Sequence, residues 1–318
     1  MNNLIRLAIE TTNICNLKCR MCLHHGPLYR GQSDEHPKTM ELDFFKDIVD
    51  QFACLNLYPK HVTPHFQGEP LCYRYFIEAC EYIEKSGMTQ NITTNAMLLT
   101  HDISDFIISI PSFINIAFSI DGYSKQVNES IRIGVNHDLV LSNIDYFLDR
   151  VASSSRYILV AVNMTRMAEN EHEYEKFIRY WIRKDIYVQV SMCTDVEGRS
   201  QRMYWNPIGR TPCRALECFM IALTNGDCVP CCRDHQYEMV MGNLHKQTLS
   251  EIWNGPEYYW LRKQHEHSLW SEHPLCSRCE TWMFEYCGSM YRLRFLDPYI
   301  AVKQGPYWEE FTRITHLT

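Results

Sequence analysis

Three cysteines close to the N-terminus, in the run Cys15-Asn-Leu-Lys-Cys19-Arg-Met-Cys22, stand directly after a strand-like segment. Thiolates spaced Cys-x-x-x-Cys-x-x-Cys on one short loop can hold three irons of a cubane cluster and leave the fourth iron without a protein ligand. An iron with an open position can bind and activate a small molecule. The competing reading is a zinc knuckle or a set of buried structural thiols. Zinc wants a fourth Cys or His close by in the usual pairing, and the sequence supplies none.

Such a loop needs a strand behind it and a sheet around it. Strand-like runs recur at Leu4–Glu10, His61–Phe66, Thr89–Thr94, Phe113–Ile120, Arg156–Asn163 and Asp185–Met192. Amphipathic stretches of helical period lie between them, at Glu41–Ala53, Tyr73–Ser86, His101–Ile108, His137–Ala152 and Glu171–Lys184. Pro59, Gly87, Pro111 and the Ser153–Ser155 run separate the elements. This alternation specifies an α/β fold in which right-handed crossovers wind a parallel sheet with helices outside. Ligands in such folds gather at the carboxyl ends of the strands, which is where the cysteine loop emerges.

Composition agrees with a large folded enzyme: 46% hydrophobic and 22% charged residues over 318 positions argue against disorder. Fifteen cysteines, an odd number, without an N-terminal apolar signal segment predict thiols kept reduced in a cytoplasm, in metal or redox use. Ile103–Ile120, the most apolar long stretch, carries Asp105, Pro111 and Asn115, so no membrane span is expected. A net charge of −7 disfavours a nucleic-acid surface and mildly favours neutral or cationic substrates.

In this place and spacing the cysteine run resembles that of the radical S-adenosylmethionine (radical SAM) enzymes, with Met21 where the family usually has an aromatic residue. The resemblance implies a partial (β/α)6 barrel over residues 1–200 rather than a closed eight-stranded one. It also implies a [4Fe-4S] cluster on Cys15, Cys19 and Cys22 whose open iron chelates the amino and carboxylate groups of SAM. Reductive cleavage then gives a 5′-deoxyadenosyl radical that removes a hydrogen atom from substrate, with a flavodoxin- or ferredoxin-like electron donor. Gln67-Gly68-Glu69-Pro70 resembles the family's Gly-Gly-Glu-Pro loop, Gln67 replacing the first glycine, and this implies a hold on the SAM amino group. Asn95 at the end of the third strand, and Ser119 and Asp121 in Ser-Ile-Asp-Gly at the end of the fourth, resemble segments facing the SAM ribose and carboxylate. Arg132, in Ser-Ile-Arg-Ile-Gly, has the geometry to pair bidentately with that carboxylate. Each motif alone reads as a turn or a helix cap. Their order and spacing behind the cysteine loop carry the joint reading.

After about residue 200 the alternation stops and cysteines return. Cys213 is followed by Gly226, and Gly226 by four residues and then Cys231, within Leu223-Thr-Asn-Gly-Asp-Cys-Val-Pro-Cys-Cys232; Cys276-Ser-Arg-Cys279 comes later. Residues 201–318 resemble the SPASM or "twitch" extension of radical SAM enzymes, which carries auxiliary iron–sulfur clusters. The Asn225-Gly226-Asp227 turn suits a hairpin that brings Cys213 and Cys231 together, and Cys276 and Cys279 complete a four-thiolate set. Cys218 could replace Cys213, Cys228 stands in a Cys-x-x-Cys relation to Cys231, and a structural zinc on the same thiolates is the alternative. Only Cys287 follows the last pair, so one auxiliary [4Fe-4S] cluster is expected rather than two.

Cys54, Cys72, Cys80 and Cys193 read mostly as small packed hydrophobes. No histidine is assigned a metal, His265 and His267 being wrongly spaced to face one ligand, but His24, His25 and Tyr29 fall at the active face. The tail from Tyr291 to Thr318 is expected to pack onto the barrel. An auxiliary cluster that accepts an electron would give dehydrogenation; a thiol that returns a hydrogen atom would give epimerisation. Cys232 is the candidate thiol, with Cys287 and Cys218 as rivals. No segment before Leu4 or after Cys287 looks long enough for leader-peptide recognition, which predicts a small polar substrate such as a sugar or aminoglycoside derivative. A ribosomal peptide is the enzymatic alternative. A non-catalytic iron–sulfur or zinc protein is the alternative of another class, and Gly68-Glu69-Pro70 and Asn95 argue against it.

Overall fold

Period-two patterning sorts the strand residues onto two faces, and the apolar face is where the helices lie. The computed structural model describes residues 3–27, 38–55, 59–192, 212–277 and 279. β1 (Arg6–Ile9), β2 (His61–Thr63), β3 (Thr89–Thr94), β4 (Phe113–Ser119), β5 (Leu159–Arg166) and β6 (Tyr187–Met192) lie side by side in that order, all parallel. Leu7, Val62, Ile92, Phe118, Val162 and Val188 join one buried cluster with helix residues such as Phe45, Ile144 and Trp181. The residues that alternate with them, among them Thr63, Asn91, Asn163 and Gln189, give the concave face a polar lining.

The covering helices are α1 (Leu42–Cys54), α2 (Phe76–Lys85), α3 (His101–Ser109), α4 (Lys125–Ile131), α5 (His137–Ser153) and α6 (Tyr174–Arg183). In α6, Tyr174, Phe177, Ile178 and Trp181 are buried at the i, i+3, i+4, i+7 positions of one stripe. Thr100, Ser124 and Asn136 cap α3, α4 and α5 by accepting from the backbone N–H three residues on. The expected strands and helices are present with trimmed ends. α4 is additional, since seven residues hold too little of a helical period to be read. Arg156, expected to open β5, lies before it: its guanidinium donates to the carbonyls of Ile108, Pro111 and Phe113 around the end of α3.

The sixth strand does not close on the first. Instead β7 (Phe219–Ala222) pairs in parallel with the other edge of β1, Arg6 opposite Phe219 and Ile9 opposite Ala222. β8 (Asp227–Val229) and β9 (Gly242–Asn243) then extend the sheet antiparallel, to nine strands. The expected hairpin lies between β7 and β8. Gly226 holds φ +85° there, and a Cβ on it would fall 2.8 Å from the His245 ring, so only glycine fits. Among the described residues no helix is long and apolar enough to cross a membrane. Tyr29, Cys193, Cys287 and the tail from 291 lie outside the described residues.

Candidate functional site

The loop that leaves β1 is tied down on three sides by main-chain bonds. Met40 N donates to Thr11 O (2.8 Å), Lys18 N to Ile133 O (2.9 Å), Arg20 N to Ile131 O (2.9 Å) and Glu69 N to Ile14 O (2.9 Å). Cys15, Cys19 and Cys22 therefore hang from fixed backbone. Leu17 N lies 3.5 Å from Cys15 Sγ, His24 N and His25 N lie 3.5 and 3.3 Å from Cys22 Sγ, and Arg132 Nη1 lies 3.9 Å from Cys19 Sγ. Gly26 closes the loop so tightly that a Cβ there would fall 2.4 Å from the Cys22 carbonyl oxygen.

Burial pushes the Cys15 thiol up to about 12 and raises Cys19 too, with Arg132 pulling Cys19 back. A bound cation reverses that order, because it stabilises the thiolate directly. N–H donors and a guanidinium aimed at sulfur suit negative charge there. On that donor chemistry the three thiols fit an iron–sulfur cluster.

The strand-end residues converge on the same loop. Gly68 packs on it so closely that a Cβ would lie 2.2 Å from Thr12 O and 2.8 Å from Ile14 O. Glu69, 4% exposed, accepts from Thr94 Oγ1 (2.6 Å), Asn95 N (2.9 Å) and Leu71 N (3.3 Å), so its carboxylate locks this loop to the end of β3. Burial raises its pKa and those three bonds oppose the rise. Pro70 opens the short 3₁₀ turn that Glu69 caps. Asn95 Nδ2 donates to Asn16 Oδ1 (2.8 Å), beside Cys15.

Asp121 is fully buried and meets Arg132 Nε at 2.7 Å, while its other oxygen accepts from Thr165 N (2.7 Å). Burial raises Asp121 and Arg132 holds it down. Arg132, expected to face a cofactor carboxylate, thus spends its Nε on Asp121 and an Nη on Cys19. Ser119 stands in register with Asn163, whose Oδ1 is buried without a protein partner. Gln67 Nε2 and His25 Nε2 are likewise buried and unpartnered. Unsatisfied polar atoms around a polar strand-end rim fit a polar cofactor.

Of the C-terminal thiols, Cys213, Cys231, Cys232 and Cys279 fall near enough to act on one another. Cys213 is pushed up to about 11, chiefly by burial, with Cys279 and Cys232 adding to the rise. Cys231 is raised by a hydrogen bond with Cys232, then by burial, then by Cys232 and Cys213 as charges. Cys279 N donates to Cys276 O (3.1 Å), so that pair turns as one unit. Soft thiolates of this number suit an iron–sulfur cluster or zinc. Among the described residues no three His, Cys, Asp or Glu side chains close round a single metal ion.

Cys218, the alternative to Cys213, is disulfide-bonded. Cys228 is fully buried in the main core, where burial raises its thiol. Cys80 is a packed core thiol as expected, Cys72 is half-buried, and Cys54 at the end of α1 is exposed instead. His265 Nδ1 accepts from Cys213 N (3.1 Å).

One cluster was not singled out in the sequence. Glu10, 1% exposed, takes bonds from Thr224 N (3.4 Å) and the Tyr237 hydroxyl (3.4 Å). Tyr237 also donates to Gln67 Oε1 and lies parallel to His24, ring centroids 6.1 Å apart. His235 packs edge-on to His24 at 5.7 Å. The only signal for Glu10 was a charged residue ending a buried strand.

The chain belongs to the radical SAM superfamily: that family's model matches residues 9–180, and the model of the SPASM iron–sulfur cluster-binding domain matches residues 213–280. A [4Fe-4S] cluster, SAM and an auxiliary cluster come with those two domains. GTP 3′,8-cyclase of Actinobacillus succinogenes is 26% identical over 187 residues, covering 58% of this chain and 51% of the cyclase, so the chain spans about half of that relative's length. The S-adenosyl-L-methionine-dependent 2-deoxy-scyllo-inosamine dehydrogenase of Niallia circulans is 21% identical over 290 residues, covering 86% of this chain and 91% of the dehydrogenase. Among solved structures, Streptococcus suis SuiB bound to S-adenosylmethionine shares the fold, with a TM-score of 0.66 and 17% identity over 88% of this chain and 72% of SuiB.

Proposed function

We propose that this protein is a radical SAM oxidoreductase or epimerase acting on a C–H bond of a small polar substrate, a sugar or aminoglycoside-like molecule. The observation that carries the reading is the polar strand-end face, where Asn163 Oδ1 and Gln67 Nε2 are buried without a protein partner and so suit hydrogen bonds to a polar ligand rather than contact with hydrocarbon. In this reading Cys15, Cys19 and Cys22 hold the first cluster, and Gly68, Pro70, Asn95 and Ser119 form the wall against SAM. Glu69 and the buried Asp121–Arg132 pair stiffen that wall from behind. Cys213, Cys231, Cys276 and Cys279 hold the auxiliary cluster. The bound groups supply a 5′-deoxyadenosyl radical and an electron acceptor. The protein's own part is to fix the substrate carbon near the first site and to exclude water.

The name of the Niallia circulans relative, a dehydrogenase of an aminocyclitol, supports the substrate class. Modification of a ribosomally made peptide is the second reading, because the shared fold includes SuiB, which has also been solved with its precursor peptide SuiA. We expect a cytoplasmic setting with a flavodoxin- or ferredoxin-like donor. The test is anaerobic turnover of 2-deoxy-scyllo-inosamine and a panel of amino sugars in heavy water. A two-electron-oxidised product without solvent label supports dehydrogenation. Solvent deuterium in an inverted product, lost in Cys232→Ala, supports epimerisation. 5′-Deoxyadenosine without any change in the panel would count against the substrate class and move the search to peptides.

A further inference from the structure

Tyr237 has a backbone that L-residues avoid: its φ is +57°. The turn that imposes this is pinned by buried Asp234, whose two carboxylate oxygens accept from Glu238 N (2.9 Å) and Met239 N (2.8 Å). Strain of this kind persists only where the surroundings over-determine it. Here the result is a phenol aimed at two acceptors, Gln67 Oε1 and, at 3.4 Å, Glu10 Oε1. A phenol has one hydrogen and cannot give it to both. With Glu10 ionised, the phenol keeps its hydrogen and donates it to the Glu10 carboxylate; with Glu10 protonated, Glu10 donates to the phenol oxygen and the phenol donates to Gln67. The triad therefore has two hydrogen-bond states that differ by one proton.

Its place matters. Glu10 directly follows β1, Gln67 precedes the Gly68-Glu69-Pro70 loop, and Tyr237 is half-buried with its ring parallel to that of His24, two residues past Cys22; Tyr237, Cys232 and Phe66 all pack against the small cluster of Ala8, Ile221, Leu223 and Val229. The triad thus joins the cysteine loop, through His24, to the Gln67 loop and to the cluster on which Cys232 packs.

We propose that Glu10 and Tyr237 form a proton relay, Tyr237 touching a hydroxyl or ammonium group of the substrate and Glu10 behind it as the terminal acceptor. This rests on the reading of a polar, proton-bearing substrate. In the transfer the substrate O–H or N–H bond breaks as the phenol oxygen takes that proton. The phenol's own proton forms the O–H bond of the Glu10 acid, and the bonding pair stays on the substrate atom. No electron leaves in this step. A hydroxyl on a radical carbon is a far stronger acid than an ordinary alcohol, so a carboxylate can drain its proton.

Burial lifts Glu10 to about 7, against the bonds from Thr224, Tyr237 and Gln67, and a base poised near the working pH is best placed for such transfer. Among the described residues, the titratable and charged groups on the segments that carry the triad include His24 and His25 on the cysteine loop, His65 and Glu69 beside Gln67, and Cys232, Arg233, Asp234 and His235 on the turn that leads to Tyr237. Burial lowers His65 and His235 to about 4, which keeps both neutral where Glu10 titrates.

Two measurements on the reconstituted holoenzyme test the relay. By infrared titration, wild type should lose the carbonyl band of a protonated carboxylic acid with a midpoint near pH 7. Glu10→Gln should lack that band, and Tyr237→Phe should move its midpoint upward by removing a donor to the carboxylate. A band that persists in Glu10→Gln, or none titrating near neutrality, overturns the assignment whatever the substrate. With a substrate of the proposed class, Tyr237→Phe should lower product formed per 5′-deoxyadenosine by about tenfold or more, and the acid limb of wild type's profile should vanish in Glu10→Gln. An unchanged ratio in Tyr237→Phe, or an acid limb kept in Glu10→Gln, would overturn the relay. If no such substrate turns over, the proposed function fails while the infrared result still decides on Glu10.

Discussion

Cys15, Cys19 and Cys22 ride on one short loop, whereas Cys213, Cys231, Cys232 and Cys279 come from separate segments that only the folded chain brings together. The first group is flanked by backbone N–H donors and the Arg132 guanidinium, which hold the sulfurs ready for metal. The second group has backbone donors as well, Arg233 N lying 3.3 Å from Cys231 Sγ and main-chain bonds reaching Cys213 from Ala215 and Leu216, so what separates the two groups is the length of chain between their members. A locally encoded site can be stiff before metal arrives. A site assembled through tertiary structure depends on the metal, the hairpin and the later Cys-x-x-Cys pair at once.

The largest effect should come from breaking the local group. Replacing Cys15, Cys19 and Cys22 by alanine together is expected to abolish cleavage of SAM to 5′-deoxyadenosine by the reduced protein, and cleavage that survives would remove the assignment. Next is Gly68→Ala. Its Cβ would fall 2.2 Å from Thr12 O, so the loop must move by a sizeable part of an ångström. Displacement on that scale costs about a hundredfold in rate, and SAM cleavage near the wild-type level would show that this loop does not set the geometry.

The assembled group should respond in iron count rather than in rate. Two four-iron cubanes mean about eight irons per chain, falling to about four in a Cys213→Ala/Cys231→Ala variant. About four irons plus one zinc in the wild type would favour structural zinc at the second group, and about twelve would mean a further cluster.

The smallest effect concerns stability at Glu10. Its folded pKa of about 7 lies above the ordinary 4.5, so the folded state binds more protons between those values. Stability should therefore fall as pH rises through that window and level off above it, a change on the order of 3 kcal/mol. Glu10→Gln should flatten the slope in denaturant unfolding at the two ends of the window. An identical slope in the variant would mean that other groups cause it.

The contrast also accounts for what was legible. The six β/α units could be read because period-two and 3.6 patterns are local, and the N-terminal cysteine loop because its ligands are neighbours in the chain. The partnership of β1 with β7 was not legible, since a short strand such as Phe219–Ala222 carries little pattern of its own. The pairing of Arg132 with Asp121 and Cys19 depends on α4, which is too short to announce itself. Glu10, Gln67 and Tyr237 meet across more than two hundred residues of chain, and nothing in their local surroundings tells of the meeting.

Because β1 is shared, the segment that carries β7, β8 and β9 is welded to the barrel rather than tethered to it. A chain cut between β6 and β7 would strip Arg6–Ile9 of one whole row of hydrogen-bond partners and present a bare, apolar edge to other molecules, a known route to aggregation. The β7–β9 segment is thus unlike a cargo module that can be exchanged between relatives at a linker. Any grafted replacement would have to bring a strand that fits the register of β1, and the separation of the two metal positions would be copied with it as a built-in ruler.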